Sequence, residues 1–226
     1  MPPKKTTSKN KNNQYKKIDY KKMKTLITKV QLKNSETKYR NMSLPKLELY
    51  HNNLYPMDDL MAVMPIQGDT DGSRNGDEIM ATGIKIRLMV GQKADRPNVT
   101  FKIFVVSYDE DTSGAPTYSN FFHNASGNGL LDAVQSKRYN VKKALTIKSR
   151  GTSMEVGESG KEFVRPYSLW IPLRKKLKFQ KDDTNKVTNY PQNLKILVFA
   201  YDAYGTLGTD NIGYIQGCAT LYYKDP

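Results

Sequence analysis

Along the chain, the rhythm of apolar and polar positions changes near residue 40. Tyr15, Ile18, Met23, Leu26, Ile27 and Val30 recur at helical spacing, and Lys16, Lys17, Lys21, Lys22, Lys24 and Lys29 crowd the remaining surface. That spacing predicts a basic amphipathic helix within residues 15–33. Like charges at i, i+4 and a thin apolar stripe make it marginal in isolation, so it is expected to form on binding. Beyond residue 40 the period falls to two. Ile84, Ile86, Leu88 and Val90 face one way from a strand over 78–91, while Lys85 and Arg87 face the other. A short strand is expected from Lys46 to His51. Val99 to Tyr108 begins with alternation and then turns apolar on both faces. Tyr139, Val141, Lys143, Leu145 and Ile147 alternate with Asn140, Lys142, Thr146 and Lys148. Phe163 to Leu173 carries Trp170 and two prolines and reads as an edge or bent strand. Leu194 to Tyr204 and Ile212 to Lys224 complete the set. Loops rich in Gly, Ser, Asp and Asn fill 67–77, 109–120, 150–161, 180–193 and 205–211, and one short helix is expected near Leu130 to Gln135.

Seven or eight strands with long polar loops and little helix give an all-β class, a sandwich or barrel of antiparallel strands. The organisation is an N-terminal arm, residues 1–40, followed by one β domain, residues 41–226. No repeat of fixed period occurs.

Charge sharpens this division. Of 226 residues, the first 40 hold twelve lysines and one arginine against Asp19 and Glu36, a net +11, while the remaining 186 carry only +3. Residues 1–14 have no aliphatic side chain after Met1 and are expected to be disordered when free. Lys4, Lys5, Lys9, Lys11, Lys16, Lys17, Lys21, Lys22, Lys24 and Lys29 therefore form a flexible polycation. Such a segment binds a phosphate backbone by releasing counterions, without reading sequence. Lysine outnumbers arginine here, which suits point-charge neutralisation better than bidentate base readout. Tyr15 and Tyr20, set among the lysines, are placed to stack on unpaired bases. The PPKK and KKMK runs also fit a nuclear import signal. A membrane-surface helix would need a richer apolar face.

Other chemistry finds little support. A single cysteine, Cys218, excludes an internal disulfide and a thiolate zinc cluster, and its neighbours read as a buried strand. No apolar run approaches a membrane span, and the first residues do not read as a secretory signal. The glycosylation triplets at Asn41, Asn98 and Asn124 are then coincidental. His51 and His123 fall in no zinc-protease pattern, and neither a nucleophile elbow nor a phosphate-binding loop occurs. Glu155 and Glu158 could serve as a carboxylate pair, and Asp58-Asp59, Asp109-Glu110-Asp111 and Asp182-Asp183 as oxygen ligands for a hard cation between subunits. Solvated loop charges account for all of them more simply. No catalytic residue, metal ligand or cofactor is assigned.

The stretch DGSRNG, residues 71–76, has the opening spacing of a calcium-binding EF-hand loop. The loop would close at Thr82, where a bidentate Glu is required, and Glu78 would stand where an apolar residue belongs. A turn feeding a strand is the better reading. Within the longer segment 67–90, Gln67, Gly68, Arg74, Gly76, Asp77, Ile79, Gly83 and Arg87 form a pattern that resembles small single jelly-roll capsid proteins. These belong to circular single-stranded DNA viruses that encode a replication initiator, and to satellite RNA viruses of plants. The order of the remainder is also similar: a basic arm, a strand running into DEDTSGAPT, a strand near RYNVKKALTIK, and a terminal GCATLYYKDP that looks more like the DNA viruses. The resemblance implies a single eight-stranded antiparallel jelly-roll sandwich. It also implies sixty copies closing a small icosahedral shell, with arms turned inward onto a single-stranded genome, DNA favoured over RNA. Sixty arms would bring about 660 positive charges, on the order of the phosphate charge of roughly a thousand nucleotides. A cellular single-strand-binding β-barrel with a basic tail shares the arm and remains the alternative.

Overall fold

The computed structural model describes residues 20–109, 115–149, 164–181, 186–203 and 207–225. The chain falls into two units, Met1–Asn34 and Ser35–Pro226.

In the first unit, helix α1 spans Tyr20–Asn34. The expected helix began at residue 15, and residues 15–19 lie outside the described residues, as does the segment 1–14 expected to be disordered. No acidic residue occupies the first turn of α1, while Lys33 in the last turn complements the helix dipole. Tyr20, Met23, Leu26, Ile27 and Val30 are exposed along it.

The second unit holds eight strands: β1 (Thr37–Tyr50), β2 (Asn53–Asp59), β3 (Glu78–Gln92), β4 (Val99–Tyr108), β5 (Asn140–Lys148), β6 (Val164–Lys178), β7 (Asn193–Asp202) and β8 (Asn211–Lys224). They form two four-stranded sheets, one ordered β1-β8-β3-β6 and the other β2-β7-β4-β5. Every pairing is antiparallel. The first strand pairs with the eighth, the second with the seventh, the third with the sixth and the fourth with the fifth. The chain is thus a long hairpin of four two-stranded ribbons, wound so that successive ribbons alternate between sheets. That connectivity is a jelly roll.

The core lies between the sheets. Ile84, Ile86, Leu88 and Val90 of β3, Ile215 and Leu221 of β8, and Leu169 and Ile171 of β6 meet Phe101, Ile103 and Val105 of β4 and Ile196, Val198 and Ala200 of β7. Alternation on β3 assigns its side chains as expected, and β6 is an edge strand, as its prolines require.

The apolar character of β4 on both faces has a direct cause. Phe104, Val106 and Tyr108, with Leu197 and Phe199 of β7, form a second cluster on the far face of that sheet. Residues 118–139 cover it with Phe121, Phe122 and Tyr139. Rings meet edge-on, Phe104 to Phe121 at 5.3 Å and Phe121 to Tyr139 at 5.2 Å between centroids. The helix expected at Leu130 to Gln135 is absent, and a four-residue helix, α2 (Tyr118–Phe121), stands earlier. Residues 128–132 instead form turns closed on Asn128 O, and Phe122 bridges Val134. Asp132 organises this cover by accepting from Ala125 N, Ser126 N, Ser126 Oγ and the Tyr118 hydroxyl at 2.8–3.2 Å. Lys102 of β4 reaches up to donate to Gly129 O and Leu130 O.

Two strands differ from expectation at the N-terminal side. β1 begins at Thr37, so residues 37–40, read above as arm, belong to a strand. β2 had no sequence signal, because Pro56, Asp58 and Asp59 interrupt its apolar run. Asp59 ends β2 as the cap of a 3-10 turn over Leu60–Val63, accepting from Met61 N at 2.9 Å and Leu194 N at 3.1 Å.

Candidate nucleic-acid interface

Of the residues the sequence assigns to polyanion binding, Lys4, Lys5, Lys9, Lys11, Tyr15, Lys16 and Lys17 lie outside the described residues. Lys21, Lys22, Lys24 and Lys29 fall within α1, where Lys22 and Lys24 are exposed. About two and a half turns of helix carry these four lysines.

The chain enters the β body next to the DGSRNG loop, and the geometry there explains that stretch. Arg74 N donates to Ile66 O at 3.0 Å and Gly68 N to Arg74 O at 3.1 Å, closing the loop into a short ladder. Gly72 has φ +80°, and a Cβ there would lie 2.9 Å from Tyr39 O, so the turn requires glycine. Arg74 is turned inward, away from solvent. Its side chain is 1% exposed, with its guanidinium carbon 4.2 Å from the centre of the Phe179 ring. It donates to Gly76 O and lies 3.6 Å from Asp77 Oδ1.

The same loop is fastened to one end of the sheet, where the start of β1 pairs with the end of β8. Ser73 O accepts from Tyr223 Oη at 3.0 Å and from Lys38 Nζ at 3.2 Å. Asn75 N donates to Asp225 Oδ2 at 2.7 Å, and Lys38 lies 3.3 Å from the same carboxylate oxygen. Arg40 donates to Met64 O at 2.7 Å. Lys38 and Arg40 therefore act as structural cations of β1, which is why that strand's beginning looked like arm.

At the other end of the sandwich, His51 is buried and its Nδ1 accepts from Asp202 N at 3.1 Å. Burial holds its pKa below the usual 6.5. Arg96 ties this end together, 3.6 Å from Asp202, 3.4 Å from Asp210 and 3.5 Å from Asp95. These contacts join the connection after β3 to the end of β7 and to the residue before β8. His123 is exposed and distant in sequence from any paired carboxylate of this end. Glu155, Glu158, Glu110, Asp111, Asp182 and Asp183 lie outside the described residues. Among the described residues, no group of three or more His, Cys, Asp or Glu is placed to hold a metal ion.

One arrangement escaped the sequence reading. The outward face of the β1-β8-β3-β6 sheet carries Lys85 and Arg87 at its centre, opposite Thr220 and Cys218 on one side and Trp170 and Ser168 on the other. Cys218 is half-buried on this face, and not in the core, because Ile215, Ala219 and Leu221 hold the inward parity of β8. Trp170 is 42% exposed and its ring centre is 5.9 Å from that of Tyr222. Tyr39, opposite Tyr222 in register, is 60% exposed. The alternation of Lys85 and Arg87 with apolar residues was visible, but their meeting with Trp170 depends on the β3–β6 register.

No family model matches the sequence, and no curated protein matches it either. Solved structures similar to this chain include those of two viruses. Infectious bursal disease virus, Gt strain, has TM-score 0.37 and 9% identity over 84% of this chain and 32% of that one. The VP2 subviral particle of infectious bursal disease virus has TM-score 0.37 and 8% identity over 84% and 34%. Sacbrood virus of honeybee, in expansion state I, has TM-score 0.36 and 11% identity over 84% and 87%. The chain spans about a third of the length of the bursal disease virus chains it resembles.

Proposed function

We propose that this chain is a viral shell subunit whose jelly roll tiles with copies of itself while the basic arm preceding β1 holds a single-stranded genome. The observation that carries this reading is the union of a segment of net +9, residues 1–36, with a jelly roll whose remaining 190 residues carry only +5. Self-repulsion is concentrated in the part that a polyanion neutralises, and the near-neutral body is free to pack. Lys4, Lys5, Lys9, Lys11, Lys16, Lys17, Lys21, Lys22, Lys24 and Lys29 neutralise phosphates, and Tyr15 stacks on a base. The pattern in 67–90 and the ending of the sequence favour a closed shell of sixty copies around single-stranded DNA, assembled in a nucleus reached through the PPKK and KKMK runs. The function is structural, without catalysis.

Electron microscopy of the purified protein with nucleic acid tests this. Closed particles of one diameter are expected, and DNase but not RNase should degrade the strand extracted from them. A protein that stays monomeric at high concentration in the presence of nucleic acid rules the shell out and favours a cellular single-strand-binding module.

A further inference from the structure

The two sheets of the sandwich are finished differently. The outer face of the β2-β7-β4-β5 sheet is sealed by residues 118–139, with Phe121, Phe122 and Tyr139 at 0–1% exposure. Among the described residues, no segment of the β body seals the outer face of the β1-β8-β3-β6 sheet in this way. Its aromatic side chains are correspondingly open, Trp170 at 42% and Tyr39 at 60%.

Charge on that bare face is also one-sided. Its acidic residues stand at the two ends and already have partners. Glu48 pairs with Lys46 at 2.7 Å and with Lys93 at 3.4 Å. Glu78 pairs with Lys176, and with Lys178 at 3.3 Å. Between them Lys85 and Arg87 have, among the described residues, no carboxylate within ion-pair distance. Arg87 is aimed across the sheet by a hydrogen bond from Nη2 to Thr220 Oγ1 at 3.1 Å. Thr220 in turn donates to Asn41 Oδ1 at 2.7 Å.

The aromatic residues are held in place. A Cβ on Gly83 would lie 2.4 Å from Trp170 Cζ2, so the indole packs directly over the glycine. A shallow depression of about 630 Å³ follows, lined by Trp170, Tyr222, Lys85, Lys224, Ser168 and Thr82. A second, of about 680 Å³, continues from Lys85 and Ser168 past Arg87 towards Lys46. Together they make an open trough with aromatic rings at one end and cations along its floor.

We propose that this trough is a second binding site for single-stranded nucleic acid, on the body itself, with one or two bases on Trp170 and Tyr222 and the following phosphates on Lys85 and Arg87. The proposal takes its ligand class partly from the shell reading, on which it rests. The site itself argues for that class: a cation row without acids selects a polyanion, and exposed rings beside it select one with accessible π faces. Duplex bases are stacked on each other and cannot use the rings.

Trp170 is the only tryptophan of the chain, so its emission reports on this site alone. The full-length protein is titrated with a fluorescein-labelled oligothymidylate, reading label anisotropy and tryptophan emission together. Emission is expected to fall in step with the anisotropy rise, and a duplex of equal length should leave it unchanged. The double variant Lys85→Ala/Arg87→Ala should bind about tenfold more weakly at fixed salt and lose most of the quenching, with an unchanged melting temperature. Anisotropy that rises while tryptophan emission stays constant overturns the site but leaves the arm reading standing. Emission that changes with protein concentration alone, and not with oligonucleotide, overturns it in favour of a second copy on this face. Undiminished affinity in Lys16→Ala/Lys17→Ala/Lys21→Ala/Lys22→Ala, with quenching intact, removes the arm reading and keeps the trough. Absence of any anisotropy change overturns both.

Discussion

The guanidinium of Arg74 lies against the face of Phe179, 4.2 Å from the ring centre, and is buried beneath the loop that carries it. Its fork reaches Gly76 O and Asp77 from this one position, so charge, planarity and length are all in use. Arg74→Ala is expected to cost about 2–4 kcal/mol. Arg74→Lys should recover little of it, because an ammonium cannot stack and bridge at once. Chemical denaturation of both variants checks this, and a full rescue by lysine would show that charge alone matters.

Gly83 and Trp170 form a second dependent pair. A methyl at residue 83 would meet the indole at 2.4 Å and Ile171 O at 2.7 Å, and the carbonyl oxygen cannot rotate away. Gly83→Ala should lower stability by about 1–3 kcal/mol and shift tryptophan emission to the red as the ring leaves the sheet. A melt combined with an emission spectrum reads both effects.

Phe121 is fully buried in the aromatic cluster that covers β4 and β7. Phe121→Ala should cost about 3–5 kcal/mol, a fall of roughly 10 °C in melting temperature for a domain of this size. Dye binding to the newly exposed apolar sheet should rise well below that melting temperature.

Glu48 gives the fold an acid dependence. The hydrogen bond from Lys46, with help from Asn211 and Lys93, lowers its pKa from 4.5 to about 2 in the folded state. Its contribution is therefore complete above the unfolded value of 4.5 and is lost as pH falls through about 2. The side chain is 36% exposed, so solvent screening limits the effect to about 1 kcal/mol or less. Glu48→Gln should lower stability by about 1 kcal/mol or less at neutral pH and flatten its decline over that acid window, as followed by urea melts at several pH values.

The arm predicts a salt signature. Log affinity for a single strand should fall against log salt with a slope of about −0.7 per phosphate neutralised. Removing Lys16, Lys17, Lys21 and Lys22 together should make that slope shallower by roughly 3. A slope unchanged in the quadruple variant would place the contacts elsewhere.

How much of this was legible depended on how each strand is buried. The strand at 78–92 has one wet face and one dry face, so its alternation announced both its existence and its orientation. β4 is dry on both sides, and the sequence showed it turning apolar on both faces while giving no hint that Phe121, Phe122 and Tyr139 cover the second one. β1 was half hidden, since Lys38 and Arg40 point towards carbonyl and carboxylate groups contributed by residues 64, 73 and 225. β2 was hidden entirely by its proline and paired aspartates. The polycation needed only composition to be seen, whereas the trough needed Lys85 to stand opposite Trp170, a fact of register that no single segment contains.

The ribbon pairing also dictates when the molecule can first exist. β8 lies between β1 and β3, and Thr220 bonds Asn41 across 179 residues of chain. Until the ribosome has released residue 224, β1 has no neighbour in its sheet and β3 has only β6. Nascent chains thus emerge with a sticky but incomplete half, and such long-range closure is slow. Translation that stops short of β8 leaves β1 unpaired and that whole sheet unmade.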